Sequence, residues 1–93
     1  MDYEYAWDDR KAQTNLQKHR VTFEEASSVF SDPLAVTYSD GVHSLNEDRF
    51  LTFGMSLSGR ILIVSHTEID TGIRIISARK ADSSERKIYE QGQ

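Results

Sequence analysis

Two apolar runs constrain this chain more than anything else in it. Residues 60–67 and 73–79 are rich in Ile, Leu and Val, and Asp70-Thr71-Gly72 separates them. β-Branched residues suit a pleated surface, and so short a turn permits only antiparallel pairing. Strict alternation places Arg60, Leu62, Val64 and His66 on one face of the first run. In the second run it places Ile73, Ile75, Ser77 and Arg79 on one face, and Arg74, Ile76 and Ala78 on the other.

Two further runs precede this hairpin. Residues 34–38 and 50–55 both alternate, and a polar, acidic loop spanning 40–48 joins them. Ser58-Gly59 is a turn candidate leading into the third strand. Residues 3–6 read as a short strand at the start. Asp8 is a good N-cap for a helix from about Asp9 to His19, with Ala12, Leu16 and His19 on one face and Lys11, Asn15 and Lys18 on another. Thr22 and Glu25 form a capping box for a second helix, flanked by Val21 and Ala26, and Asp32-Pro33 stops it. Asp82 with Glu85 caps a last helix running to about residue 90, and the final residues fray. The expected class is α+β: one domain over residues 1–93, with helices on one side of an antiparallel sheet of four to five strands.

Composition narrows the setting. At 38% hydrophobic the chain is globular, and it contains no cysteine, which fits a cytoplasmic protein. Its longest aliphatic run, Ile61-Leu62-Ile63-Val64, is too short to span a membrane. The net charge of −4 argues against a general nucleic-acid binder. The charge is unevenly distributed, however. Residues 10–20 hold four bases and no acids, whereas residues 21–48 hold six acids and no bases. A basic face can therefore coexist with an acidic one.

The residues with chemical potential gather in the last third. Arg74, Arg79 and Lys80 lie on or at the end of a strand, just before a helix N-terminus, where guanidinium forks and backbone donors suit phosphate. Arg79 has a competing role as an ion-pair partner of Glu85 or Glu90. His66 has the right ordinary pKa for a general acid or base, or it is a histidine bonded within the sheet. Glu68 is an alternative base. Tyr89 either contacts RNA or packs its helix on the sheet. The three histidines are far apart in sequence and no metal-ligand spacing stands out, so neither metal nor cofactor is expected.

Several separated motifs together resemble the BrnT toxin family. They are Tyr5-Ala6-Trp7-Asp8, Lys11, Asn15, Lys18-His19 and Val21-Thr22-Phe23-Glu24-Glu25-Ala26, followed by Val29-Phe30 and Asp32-Pro33. The series closes with His66-Thr67-Glu68, Arg74-Ile75-Ile76-Ser77-Ala78-Arg79-Lys80-Ala81, Glu85-Arg86 and Tyr89. The resemblance implies a RelE-like fold and an endoribonuclease toxin of a type II toxin–antitoxin pair that inhibits translation. It also implies a BrnA-like antitoxin with a ribbon-helix-helix unit, through which alone the pair would meet promoter DNA. The sequence departs from the family at Arg20, where a glycine is usual, and at Ile69 and Gly72, in a stretch that is often basic.

The resulting expectation is metal-independent RNA cleavage. His66, Glu68, Arg74 and Arg79 are the candidate catalytic residues, and Lys80, Tyr89, Lys11 and Lys18 the candidate RNA contacts. The alternative is a non-catalytic RNA- or protein-binding module.

Overall fold

The computed structural model describes residues 4–43 and 47–92. Tyr3 of the first expected strand, the middle of the acidic loop and Gln93 lie outside these residues. The order is β1 (Glu4–Ala6), α1 (Asp9–His19), α2 (Phe23–Ser28) with a 3₁₀ turn (Val29–Ser31), β2 (Val36–Ser39), β3 (Arg49–Met55), β4 (Ile61–Ile69), β5 (Gly72–Lys80) and α3 (Ser83–Gln91). Strands β2 to β5 form the expected antiparallel meander, and β1 adds to β5 in parallel, giving the mixed order β1-β5-β4-β3-β2.

One face of the sheet carries the main core. Leu62 and Val64 of β4 and Ile73, Ile75 and Ala78 of β5 pack against Val21, Phe23, Ala26 and Val29. The opposite face carries a smaller cluster, where Tyr89 of α3 and Ala81 meet Phe53 and Ile63. Helices therefore cover both faces rather than one. The third helix crosses over because Ala81 and Tyr89 bring a second set of buried groups to that side.

Strand β5 is not evenly alternating. Ser65 pairs with Ser77 but His66 pairs with Ile75, so Ile76 is an extra residue, a β-bulge. The bulge reverses the facing of everything after it relative to simple alternation. Ala78 joins Ile73 and Ile75 in the core, and Arg79 comes to the same face as Arg74.

The caps explain the helices. The Asp8 carboxylate accepts from the amides of Arg10 and Lys11. Asp82 and Glu85 complete a reciprocal box. At Thr22 only half of the expected box exists. The Thr22 hydroxyl accepts from the Glu25 amide, but the Glu25 side chain turns away to Arg60, Ser56 and Ser58, pinning α2 to the β3–β4 turn. These bonds, Arg60 foremost and against the opposing effect of burial, hold Glu25 down at about 2. Arg20 ends α1 with φ 58°, a left-handed conformation that glycine adopts freely and arginine at a cost of about 1 kcal/mol.

The buried side of α1 is only in part the expected apolar one, for Ala12 packs against the core but Leu16 does not. Leu16 is 43% exposed, while Asn15 is 5% exposed. The Asn15 amide donates to the Ala78 carbonyl at 2.8 Å and the Val21 carbonyl at 3.0 Å, and its oxygen accepts from the Ala78 amide at 3.0 Å. β1 reaches along β5 only as far as Arg74, so the carboxamide satisfies the edge beyond it.

Asn15→Ala should destabilise the domain by about 2–3 kcal/mol, because it strands the buried Ala78 amide. Urea denaturation should show this as a lower midpoint with an unchanged slope.

Candidate functional site

The open face of the sheet is built from one register. Tyr38 pairs with Leu51, Leu51 with Ser65 and Ser65 with Ser77, while Arg49 pairs with Thr67 and Thr67 with Arg74. Arg79, opposite Ile63, completes a row of three guanidiniums on this side. Asp40, Arg49, Leu51, Ser65, Ile76, Ser77 and Arg79 line a cleft there. Tyr38 stands beside it, 46% exposed, its ring edge-on to Phe53 at 5.7 Å.

Carboxylates hold the arginines in place. Arg79 donates to both oxygens of Glu85 at 2.8 and 2.7 Å, and Glu85 also accepts from the Asp82 amide. Arg74 donates to both oxygens of Glu47 at 2.8 and 2.7 Å, and Arg49 lies 3.7 Å from the same carboxylate. The Arg79 pair is a two-nitrogen fork that fixes the plane of its guanidinium in the geometry that a phosphate would meet, whereas Arg74 reaches both Glu47 oxygens through Nη2 alone. Arg74 and Arg79 face partners four residues apart on β4, so their backbones stand roughly 13 Å apart, and of the two only Arg79 lines the cleft.

His66 lies on the other face. It is 4% exposed, edge-on to Phe30 at 4.8 Å and stacked with Phe50 at 5.8 Å. Its Nε2 is 2.7 Å from the Thr52 hydroxyl, which is 2.7 Å from that of Thr37, and its Nδ1 has no hydrogen-bond partner. Burial lowers its pKa from 6.5 to about 4, so the ring is neutral near pH 7. Tyr89 is also buried. Its hydroxyl donates to Asp32 at 2.7 Å, and this bond, with burial, raises its pKa to about 12.

The remaining candidates scatter. Lys80 is exposed beside Arg60, Ile61 and Arg86, in a separate recess. Glu68 is exposed at the far end of β4, in a recess shared with Glu47, Asp48, Phe50 and Thr67. Lys11 and Lys18 line a groove between α1 and β5 with Arg10, Thr14, Asn15, His19, Ile76 and Ser77. The structure thus groups Arg74 with Arg79 on one face and puts His66 on the other, while Tyr89 lies on the arginine face but is buried, its hydroxyl engaged by Asp32. Arg49, Asp40 and Tyr38 escaped the sequence reading. Alternation of Arg49 with Leu51 and Phe53 was the signal that could have found the first of them.

Known proteins add an independent line. The profile of the ribonuclease toxin BrnT of type II toxin–antitoxin systems matches residues 7–85. The chain belongs to the BrnT family. Among solved structures, the ribonuclease toxin BrnT of Brucella abortus superposes with a TM-score of 0.67 at 24% identity, covering 88% of this chain and all of that one. At that identity the shared property is the fold. No curated protein matches the chain closely enough to be called a relative. Family membership makes this a ribonuclease toxin by type and implies an antitoxin partner. No helix among the described residues is long and apolar enough to cross a membrane.

The buried imidazole of this BrnT family member should show in its stability. The unfolded chain takes up the proton near pH 6.5 but the folded chain only near 4. Stability is therefore complete above pH 6.5 and falls as pH drops toward 4, by up to about 3 kcal/mol. Chemical denaturation across that range should show the loss, and His66→Gln should flatten it.

Proposed function

We propose that this BrnT family chain is an endoribonuclease that cleaves RNA on the open face of its sheet without a metal ion, and that a BrnA-like antitoxin neutralises it. The observation that carries the reading is the bulge at Ile76, which brings Arg79 to the face of Arg74 and Arg49. Three guanidiniums on rigid strands suit a polyanion, and the exposed Tyr38 ring offers a surface for a base to stack on.

In this reading the RNA 2′-oxygen attacks the adjacent phosphorus and the bond to the 5′-oxygen breaks, leaving a cyclic phosphate and a 5′-hydroxyl. Asp40, the carboxylate lining the cleft, accepts the 2′-hydroxyl proton. Solvent returns a proton to the leaving oxygen. Arg79 and Arg49 neutralise charge gathering on the phosphoryl oxygens, and Arg74 holds the next phosphate. Glu85 and Glu47 yield their places to phosphate and keep the guanidiniums oriented. His66 has no proton-transfer role in this reading, since it is buried on the face opposite the cleft.

A second reading, binding without catalysis, draws on one observation. Among the described residues no histidine lines the cleft, so the proton acceptor there is a carboxylate rather than an imidazole. Inhibition of translation follows from the first reading and not from the second.

Arg79→Ala and Arg49→Ala should each lower RNA cleavage by the purified chain about 10²–10³-fold without unfolding it. Cleavage should persist in EDTA. Wild-type rates in both variants would place the chemistry elsewhere. Failure of the soluble, folded wild type to cleave RNA while still binding it would favour the second reading.

A further inference from the structure

We propose that the groove between α1 and β5 is a second RNA site, which holds phosphates of the strand running out of the cleft; the inference rests on the ribonuclease reading above. Arg10, Lys11, Lys18 and His19 surround this groove, with the Thr14 and Ser77 hydroxyls and Ile76 between them. Among the described residues none of the Arg10, Lys11 and Lys18 cations meets a carboxylate, in contrast to Arg49, Arg60, Arg74 and Arg79, each of which does. The sequence explains the difference, since residues 10–20 contain no acid. Basic side chains left together around a concavity form a positive field for an anionic strand.

The groove adjoins the proposed cleavage site. Ile76 and Ser77, the bulge and its neighbour, line both the groove and the cleft that holds Arg49 and Arg79. A strand leaving the cleft across the bulge enters the groove directly. Asn15 sets its floor by tying α1 to Ala78, so that the helix lies along the edge of β5 where β1 has ended. With a volume of about 290 Å³ and open to solvent, the groove accommodates a single strand. Flexible lysines, with no Phe, Tyr or Trp among the lining residues, suit recognition of backbone phosphate rather than of base identity.

The test compares the wild type, Arg79→Ala, Lys11→Ala/Lys18→Ala and the control Lys87→Ala, which lines neither concavity. A fluorescent 2′-O-methyl octanucleotide, which cannot be cleaved, measures binding across a salt series. A cleavable RNA measures kcat and KM. The double variant should bind the octanucleotide about tenfold more weakly and flatten its log–log salt slope by about 1.4, the value for two lost phosphate contacts on a single strand. KM should rise with kcat unchanged, and Lys87→Ala should match the wild type.

Unchanged affinity and slope in the double variant would overturn the proposal. So would a fall in kcat at constant KM, or loss of antitoxin binding with RNA binding intact, which would assign the groove to the protein partner. If instead the wild type neither binds nor cleaves RNA, the ribonuclease reading itself fails. If Arg79→Ala abolishes cleavage while the groove variant behaves as wild type, only the groove assignment fails.

Discussion

The carboxamide of Asn15 stands where a further stretch of strand would otherwise stand. It donates to and accepts from the same residue, Ala78, as a neighbouring strand would, and it reaches the Val21 carbonyl as well. Three consequences follow. The edge of β5 is satisfied without lengthening β1. α1 is held along that edge, with its lysines facing Ile76 and Ser77. The link from α1 to α2 is fixed at the point where Arg20 turns left-handed, so that Val21 and Phe23 enter the core. A buried side-chain amide with all its bonds made costs little to bury, and a half-bonded one is expensive, which makes the position intolerant of change.

The sheet then divides the labour between its faces. One face is packed by α1 and α2 and encloses His66 among Phe30, Phe50 and Thr52. The other is covered only at one end, by α3, and exposes arginines elsewhere. The carboxylates on this second face have a double effect. Glu47 and Glu85 orient Arg74 and Arg79, yet they also compete with any incoming phosphate. Charge-assisted bonds at the surface are worth only about 1 kcal/mol or less each, so a phosphate held by more than one cation displaces them readily.

Much of this architecture was legible in the residues. Asp8, Thr22 and the Asp82–Glu85 pair marked the helix starts, because capping is a local event. The four-strand meander followed from alternation and short turns. Three features were not legible, and each depends on distant partners. A bulge leaves no mark in apolar periodicity when the extra residue is itself an isoleucine, so the facing of Arg79 was read one position out. Asn15 was assigned to a polar face because its partner, Ala78, lies 63 residues away. The Glu25 side chain abandoned its local box for Arg60, 35 residues on. For the site, simple alternation put Arg74 and Arg79 on opposite faces and the bulge puts them on one, while Tyr89 and His66 show their structural contacts, in helix packing and within the sheet. Family resemblance named the chemistry, and register placed the residues.

The central claim is that RNA meets the bulged, arginine-bearing face of the sheet and not the face that holds His66. The most direct measurement is amide chemical-shift mapping of the ¹⁵N-labelled chain titrated with an uncleavable 2′-O-methyl RNA. The account predicts shifts concentrated at Tyr38, Asp40, Arg49, Leu51, Ser65, Ser77 and Arg79, with Phe30, Thr52 and His66 little changed. Shifts centred on Phe30, Thr52 and His66, with the arginine face undisturbed, would contradict it.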